Sequence, residues 1–354
     1  MSILFAILLF SFLIFVHELG HFVAAKLSGV RVNEFSMFMG PAIVQWKRGE
    51  TLYSIRCIPL GGFCAMEGED QDTDDPRSFQ KAAWWKRLII LVAGSFMNLL
   101  VGVLLMLIVW MPSQELPEPV IDSFTEFATV DGEHGLQVGD RILEIDGENI
   151  YVQSDFGMLL ALNPSDTHDV VVERSGAEIR LNNLLMETHT VLDEQGQKVQ
   201  KYGINFYVDT DVSFWEKLEY SWYNCVDTAR MVRLSLKMLL TGEAGLGDMT
   251  GPVGIVKVMS DTAAQSNGFL MALLNMLYFG AFLAINLGIM NLLPIPALDG
   301  GRVVGLLLTT SIEKITRKKL NSKVEGYIHG VGMILLLALM AIILFKDVFT
   351  IFKG

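Results

Sequence analysis

The chain has 354 residues, is 51% hydrophobic with a mean hydropathy of +0.42, and carries a formal net charge of -12. That apolarity excludes an ordinary soluble domain. The acidic balance argues against a polyanion as partner, so no nucleic acid is expected.

Taken from the N-terminus, four segments are long enough to cross a bilayer, which needs about 20 helical residues. They are residues 2–27, 88–111, 269–298 and 327–345. The first contains "FLIFVHELGHFVAAKL", an apolar run that holds His17, Glu18 and His21. No basic stretch precedes it, so we expect a retained span rather than a cleaved signal.

Residues 30–66 change period. Strands are expected at 42–47 and 51–56 around a turn at Arg48–Gly49–Glu50, with a second turn at Gly61–Gly62. The segment is apolar for a loop and reads as a β-element dipping into the membrane. Protein must cover it there, because open sheet edges are not tolerated in lipid. These parts, with the second span, make an N-terminal transmembrane part over 1–111.

Residues 112–210 are expected to form an inserted α+β domain. A strand is expected over Arg141–Ile145, a tight turn at Asp146–Gly147, a helix over 155–162 and a hairpin over 169–184. "GDRILEIDG" resembles the core of a PDZ domain, which implies binding of a chain end or an extended segment by strand addition. Residues 211–268 read as an amphipathic helix on the outer leaflet followed by a Gly-rich linker. Residues 269–354 form a C-terminal transmembrane part. The fold expected is a four-span α-helical membrane protein with a membrane-associated β-element and an inserted PDZ-like domain.

Basic residues orient the spans. Arg31, Lys47, Arg48, Arg56, Arg77, Lys81, Lys86 and Arg87 lie between the first two, and Lys314, Arg317, Lys318, Lys319 and Lys323 between the last two. The positive-inside rule makes both connections cytoplasmic. Both termini and the PDZ-like domain are then extracytoplasmic.

An ionisable group inside a span is costly and normally faces an interior site. His17 and His21 stand four residues apart, so a helix projects both from one face toward a single ion. Glu18 can reach a water at that ion. Zinc needs a third protein ligand and an open position. Asp299 is the candidate, being the first charged residue after Asp261. Pro294 and Pro296 break the third span beside it and free backbone groups to line a cavity. The orientation from the loops brings Asp299 to the level of the histidines, toward the cytoplasmic face.

HELGH in the first span, "NLLPIPALDG" in the third and one PDZ-like segment between them resemble the site-2 protease family of intramembrane zinc metalloproteases. The resemblance covers nearly the whole chain. It implies that His17, His21 and Asp299 bind one zinc, that Glu18 is the general base, and that Asn291 contacts the substrate backbone or oxyanion. It places Gly300 in the LDG motif, Asn98 of "GSFMN" as a supporting residue, and Gly61 and Gly62 in a β-loop motif. It also implies a bacterial cytoplasmic-membrane enzyme that cleaves single-span proteins, such as anti-sigma factors or remnant signal peptides, after an upstream site-1-type protease has trimmed them. A membrane metal transporter and a non-catalytic membrane-protein binder are the competing readings.

Overall fold

In the computed structural model, residues 2–69, 73–126, 135–163, 165–192, 198–245, 251–266, 268–317 and 322–353 are described. The chain divides into two units, Met1–Leu105 with Thr228–Gly354, and Met106–Asp227.

The first unit is built on helices α1 (Ser2–Ser28), α2 (Trp84–Trp110), α5 (Pro252–Gln265), α6 (Phe269–Asn291), α7 (Asp299–Thr316) and α8 (Ser322–Lys353), with strands β1 (Val32–Arg48) and β2 (Thr51–Met66). Among the described residues, four stretches are long and apolar enough to cross a membrane: Leu4–Ser28, Trp84–Trp110, Phe269–Asn291 and Gly330–Asp347. They fall where the sequence places its four spans.

Two apolar clusters meet α1 at different heights. Ala6, Leu9 and Leu13 pack with Met259 of α5 and with Leu283 and Ala284 of α6. Ala24 and Ala25 pack with Val32, Phe35, Cys64 and Met66 of the hairpin and Ile90 and Leu91 of α2. His17, Glu18 and His21 lie between these clusters, so packing on both sides fixes the helix that carries them.

The hairpin is longer than expected and folds back on itself. Ala42–Arg48 pairs with Thr51–Arg56, as the turn at residues 49–50 requires. Residues 34–37 pair on both sides, with 52–55 and with 62–65. Gly61 and Gly62 therefore lie inside β2 rather than in a turn between strands. Gly61 has φ +78°, where β2 bends back toward β1. The expected boundaries covered only the outer half of this arrangement.

Three other boundaries differ. The third span is expected to reach 298, but α6 stops at Asn291. Pro294 and Pro296 lack the amide a continuing helix needs. The expected loop between spans three and four contains α7, an 18-residue helix; Lys318 and Lys319 lie outside the described residues. Part of the expected Gly-rich linker, residues 246–250, lies outside the described residues. From Pro252 the chain forms α5, with proline at the first helical position, where no amide is missed.

The second unit holds a sheet ordered β10-β3-β4-β6-β7, formed by Ile204–Asp209, Leu116–Phe124, Arg141–Ile145, Thr167–Arg174 and Ala177–Leu185. Strand β5 (Glu148–Asn149) pairs with β4, β8 (His189–Leu192) pairs with β9 (Lys198–Lys201), and α3 spans Ser154–Leu162. Asp146 and Gly147 take positive φ in the β4–β5 turn, as the Asp-Gly pair predicts. Ile142, Ile145, Leu160 and Val170–Val172 form its core. Asp140, fully buried, holds Arg174 through two 2.7 Å contacts, which offsets the cost of burying its charge. Helix α4 (Phe214–Thr241) follows β10.

Candidate metal centre

Helical spacing places His17 and His21 one turn apart on α1, and their rings meet edge to face with centroids 4.8 Å apart. Asp299 opens α7. Its position depends on how closely α7 approaches the preceding turn. A Cβ on Gly300 would lie 2.2 Å from the carbonyl oxygens of Leu292 and Leu293, and one on Gly301 would lie 2.4 Å from that of Ile295. Only glycine fits at either position.

His17, His21 and Asp299 offer ligand atoms that lie within 4.8 Å of one another. Asp299 Oδ2 is 3.1 Å from His17 Nε2 and 3.2 Å from His21 Nε2, and the two Nε2 atoms are 3.2 Å apart. A tetrahedral zinc with bonds of about 2.0–2.1 Å separates its ligands by roughly 3.3–3.4 Å, so the triangle is close to the size zinc requires.

The hydrogen bonding also fits a cation. His21 Nδ1 donates to the Ile90 carbonyl at 2.8 Å. In the neutral ring, Nε2 then carries a lone pair aimed at the other two groups. Asp299 Oδ2 is buried and has no hydrogen-bond partner. Lone pairs converging on a carboxylate oxygen repel unless a positive ion lies between them. The residues present therefore fit zinc.

The triad opens on a cavity of about 290 Å³, several times the ~30 Å³ share of one water. Glu18 lines it, as do Phe63, Cys64, Ala65 and Met66 along the end of β2. Glu69 and Arg302 also line it and form an ion pair joining the end of the hairpin to the first turn of α7.

Each residue singled out from the sequence has a definite place. Glu18 shares the cavity with the three ligand candidates. Gly62 lies beside Glu18, since a Cβ there would sit 3.3 Å from Glu18 Cγ. Gly61 packs under Met39, away from the triad. Pro294 and Pro296 lie in the turn before Asp299. Asn98 Nδ2 lies 3.5 Å from His17 Nδ1. Asn291 ends α6, half-buried, and is not among the residues lining the cavity.

Sequence reasoning missed Glu69 and Arg302, and singled out Gly94 of "GSFMN" without giving it a role. A Cβ on Gly94 would lie 2.3 Å from His21 Nε2. The signal available was the Gly94–Asn98 spacing, which matches that of the histidines and puts both residues on one face of α2.

The model of Peptidase family M50 matches residues 5–339. The chain belongs to Peptidase family M50. Relatives include a Clostridium acetobutylicum protein named "Putative zinc metalloprotease", 37% identical over 351 residues that cover 98% of this chain and 97% of the relative. A Clostridium perfringens protein of the same description is 36% identical over 350 residues, covering 98% of each. "Regulator of sigma-W protease RasP" of Bacillus subtilis is 28% identical over 431 residues, again covering 98% of each. This M50 peptidase is therefore a zinc metalloprotease of the site-2 type, as the motifs indicated. The transporter and non-catalytic binder readings fall away with that membership.

Proposed function

We propose that this chain cleaves single-span membrane proteins within the bilayer, with His17, His21 and Asp299 holding zinc and Glu18 moving the proton. The observation that supports this most is the triangle of ligand atoms with 3.1–3.2 Å edges opening on a cavity that Glu18 also lines.

Zinc, when bound, supplies a Lewis acid that polarises a carbonyl and makes water a better nucleophile. The other steps belong to the chain. Glu18 accepts the proton of the attacking water and returns it to the leaving amine. The pair of apolar clusters above and below the triad limits bulk water. The segment 62–65 pairs with β1 along one edge. Its other edge presents backbone groups beside the cavity, where an unwound substrate segment can add as an extended strand. Asn291, at the end of α6, lies outside the cavity lining.

The substrates we infer are single-span proteins such as anti-sigma factors or remnant signal peptides, already trimmed by a site-1-type protease. The name of the Bacillus subtilis relative, "Regulator of sigma-W protease RasP", supports that class. We read residues 112–210 as a PDZ-like domain outside the cytoplasm, on the strength of the β4–β5 turn, α3 and the β6–β7 hairpin. The active site then faces the cytoplasmic side of the membrane.

The test is purified protein incubated with a panel of single-span substrates. Glu18→Gln is expected to retain one zinc per chain and to lose about 10²–10⁴-fold in rate. Cleavage at the wild-type rate would remove Glu18 from the mechanism.

A further inference from the structure

Asn98 is 1% exposed on α2, inside an apolar span. A carboxamide there is expensive unless all its polar atoms are used. Its Nδ2 lies 3.5 Å from His17 Nδ1, while its Oδ1 is buried with no hydrogen-bond partner.

The two histidines differ in what faces their Nδ1 atoms. His21 faces a backbone carbonyl. A carbonyl only accepts, so His21 carries its proton on Nδ1 and leaves Nε2 bare as a ligand. His17 faces a carboxamide, which can either donate or accept. When Nδ2 donates to His17 Nδ1, the neutral ring keeps its proton on Nε2, the atom nearest Asp299. That tautomer cannot bind a cation through Nε2. When the amide turns by 180° about its Cβ–Cγ bond, Oδ1 replaces Nδ2 at nearly the same position. His17 Nδ1–H then donates to Oδ1, Nδ2 takes the place Oδ1 held, and Nε2 is freed.

We propose that Asn98 is the positioning residue that sets the tautomer of His17, accepting from Nδ1–H through Oδ1 when the metal is bound. His21 is held permanently in its ligating tautomer by the Ile90 carbonyl. His17 is held there only by one orientation of the Asn98 amide. The residue acts through the ligand and touches neither substrate nor metal. The inference rests on the assignment of His17 as a zinc ligand.

Chelator competition on the full-length protein measures zinc affinity directly, without an activity assay. Asn98→Leu keeps the shape and removes the acceptor; loss of such a partner typically weakens metal binding by about 10–100-fold, and that loss is expected here. Asn98→Asp presents an acceptor in both orientations and is expected to bind zinc at least as tightly as wild type. Wild-type affinity in Asn98→Leu overturns the proposal, as does an equal loss in both variants. His17→Ala is the reference: if it too holds zinc unchanged, the metal assignment fails along with the role of Asn98. Should Asn98→Leu not fold, the ¹⁵N resonances of His17 in the zinc-loaded wild type decide. A scalar coupling across a hydrogen bond from His17 Nδ1–H to the Asn98 side-chain carbonyl upholds the proposal, and an Nδ1–H with no coupling to Asn98 overturns it.

Discussion

Gly94 governs how closely α2 can approach the two imidazoles. Alanine in a helix is normally favoured over glycine by about 1 kcal/mol. Here its Cβ would fall 2.3 Å from His21 Nε2 and 2.8 Å from His17 Cε1, so the rings must turn away. Gly94→Ala is therefore expected to lose zinc and to slow cleavage by about 10²-fold, the scale of an ångström's misplacement. Metal analysis beside a rate measurement checks it; full zinc with full rate would contradict the packing of α2 on α1. The proposed ligands could be picked out in the sequence because each carries a local sign. His17 and His21 share a helical repeat, and Asp299 ends a long uncharged stretch. Glu69 and Arg302 act through partners far along the chain, and no local pattern announces such contacts; Gly94 had only its helical spacing from Asn98.

The same division holds for elements. Spans were readable because length and apolarity decide them. The turn at Gly49–Glu50 was readable from residue type. The doubled pairing of residues 34–37 was not, because both partners, 52–55 and 62–65, lie well along the chain and the pattern within 34–37 names neither. Helices α5 and α7 were missed because each is amphipathic, shorter than a span, and sits beside a span that dominates the reading. The segment Gly62–Met66 has the clearest consequence. Proline removes one backbone donor, and successive amides of a strand point to opposite edges. One of Cys64→Pro and Ala65→Pro thus strikes the edge away from β1. That variant is expected to slow substrate cleavage by tenfold or more (about 1.4 kcal/mol) while zinc stays bound. Unchanged rates in both would end the strand-addition proposal.

At the scale of the whole molecule, the proposed topology sets the second unit and the turn carrying Asp299 on opposite faces of the membrane. Asn182 on β7 and Lys314 on α7 are both exposed and provide reporters. In a background free of other cysteines, a membrane-impermeant maleimide added to intact cells should label Asn182→Cys. Lys314→Cys should label only after the membrane is opened; labelling of both from one side would contradict the orientation. The central claim is narrower, that α1 and α7 together hold a single zinc through two imidazoles and one carboxylate. X-ray absorption at the zinc edge of the purified full-length protein tests it most directly. One zinc per chain is expected, in a shell of nitrogen and oxygen at about 2.0–2.2 Å, lost on His21→Ala or Asp299→Ala. A sulfur shell near 2.3 Å, or the same spectrum and stoichiometry surviving both substitutions, would contradict it.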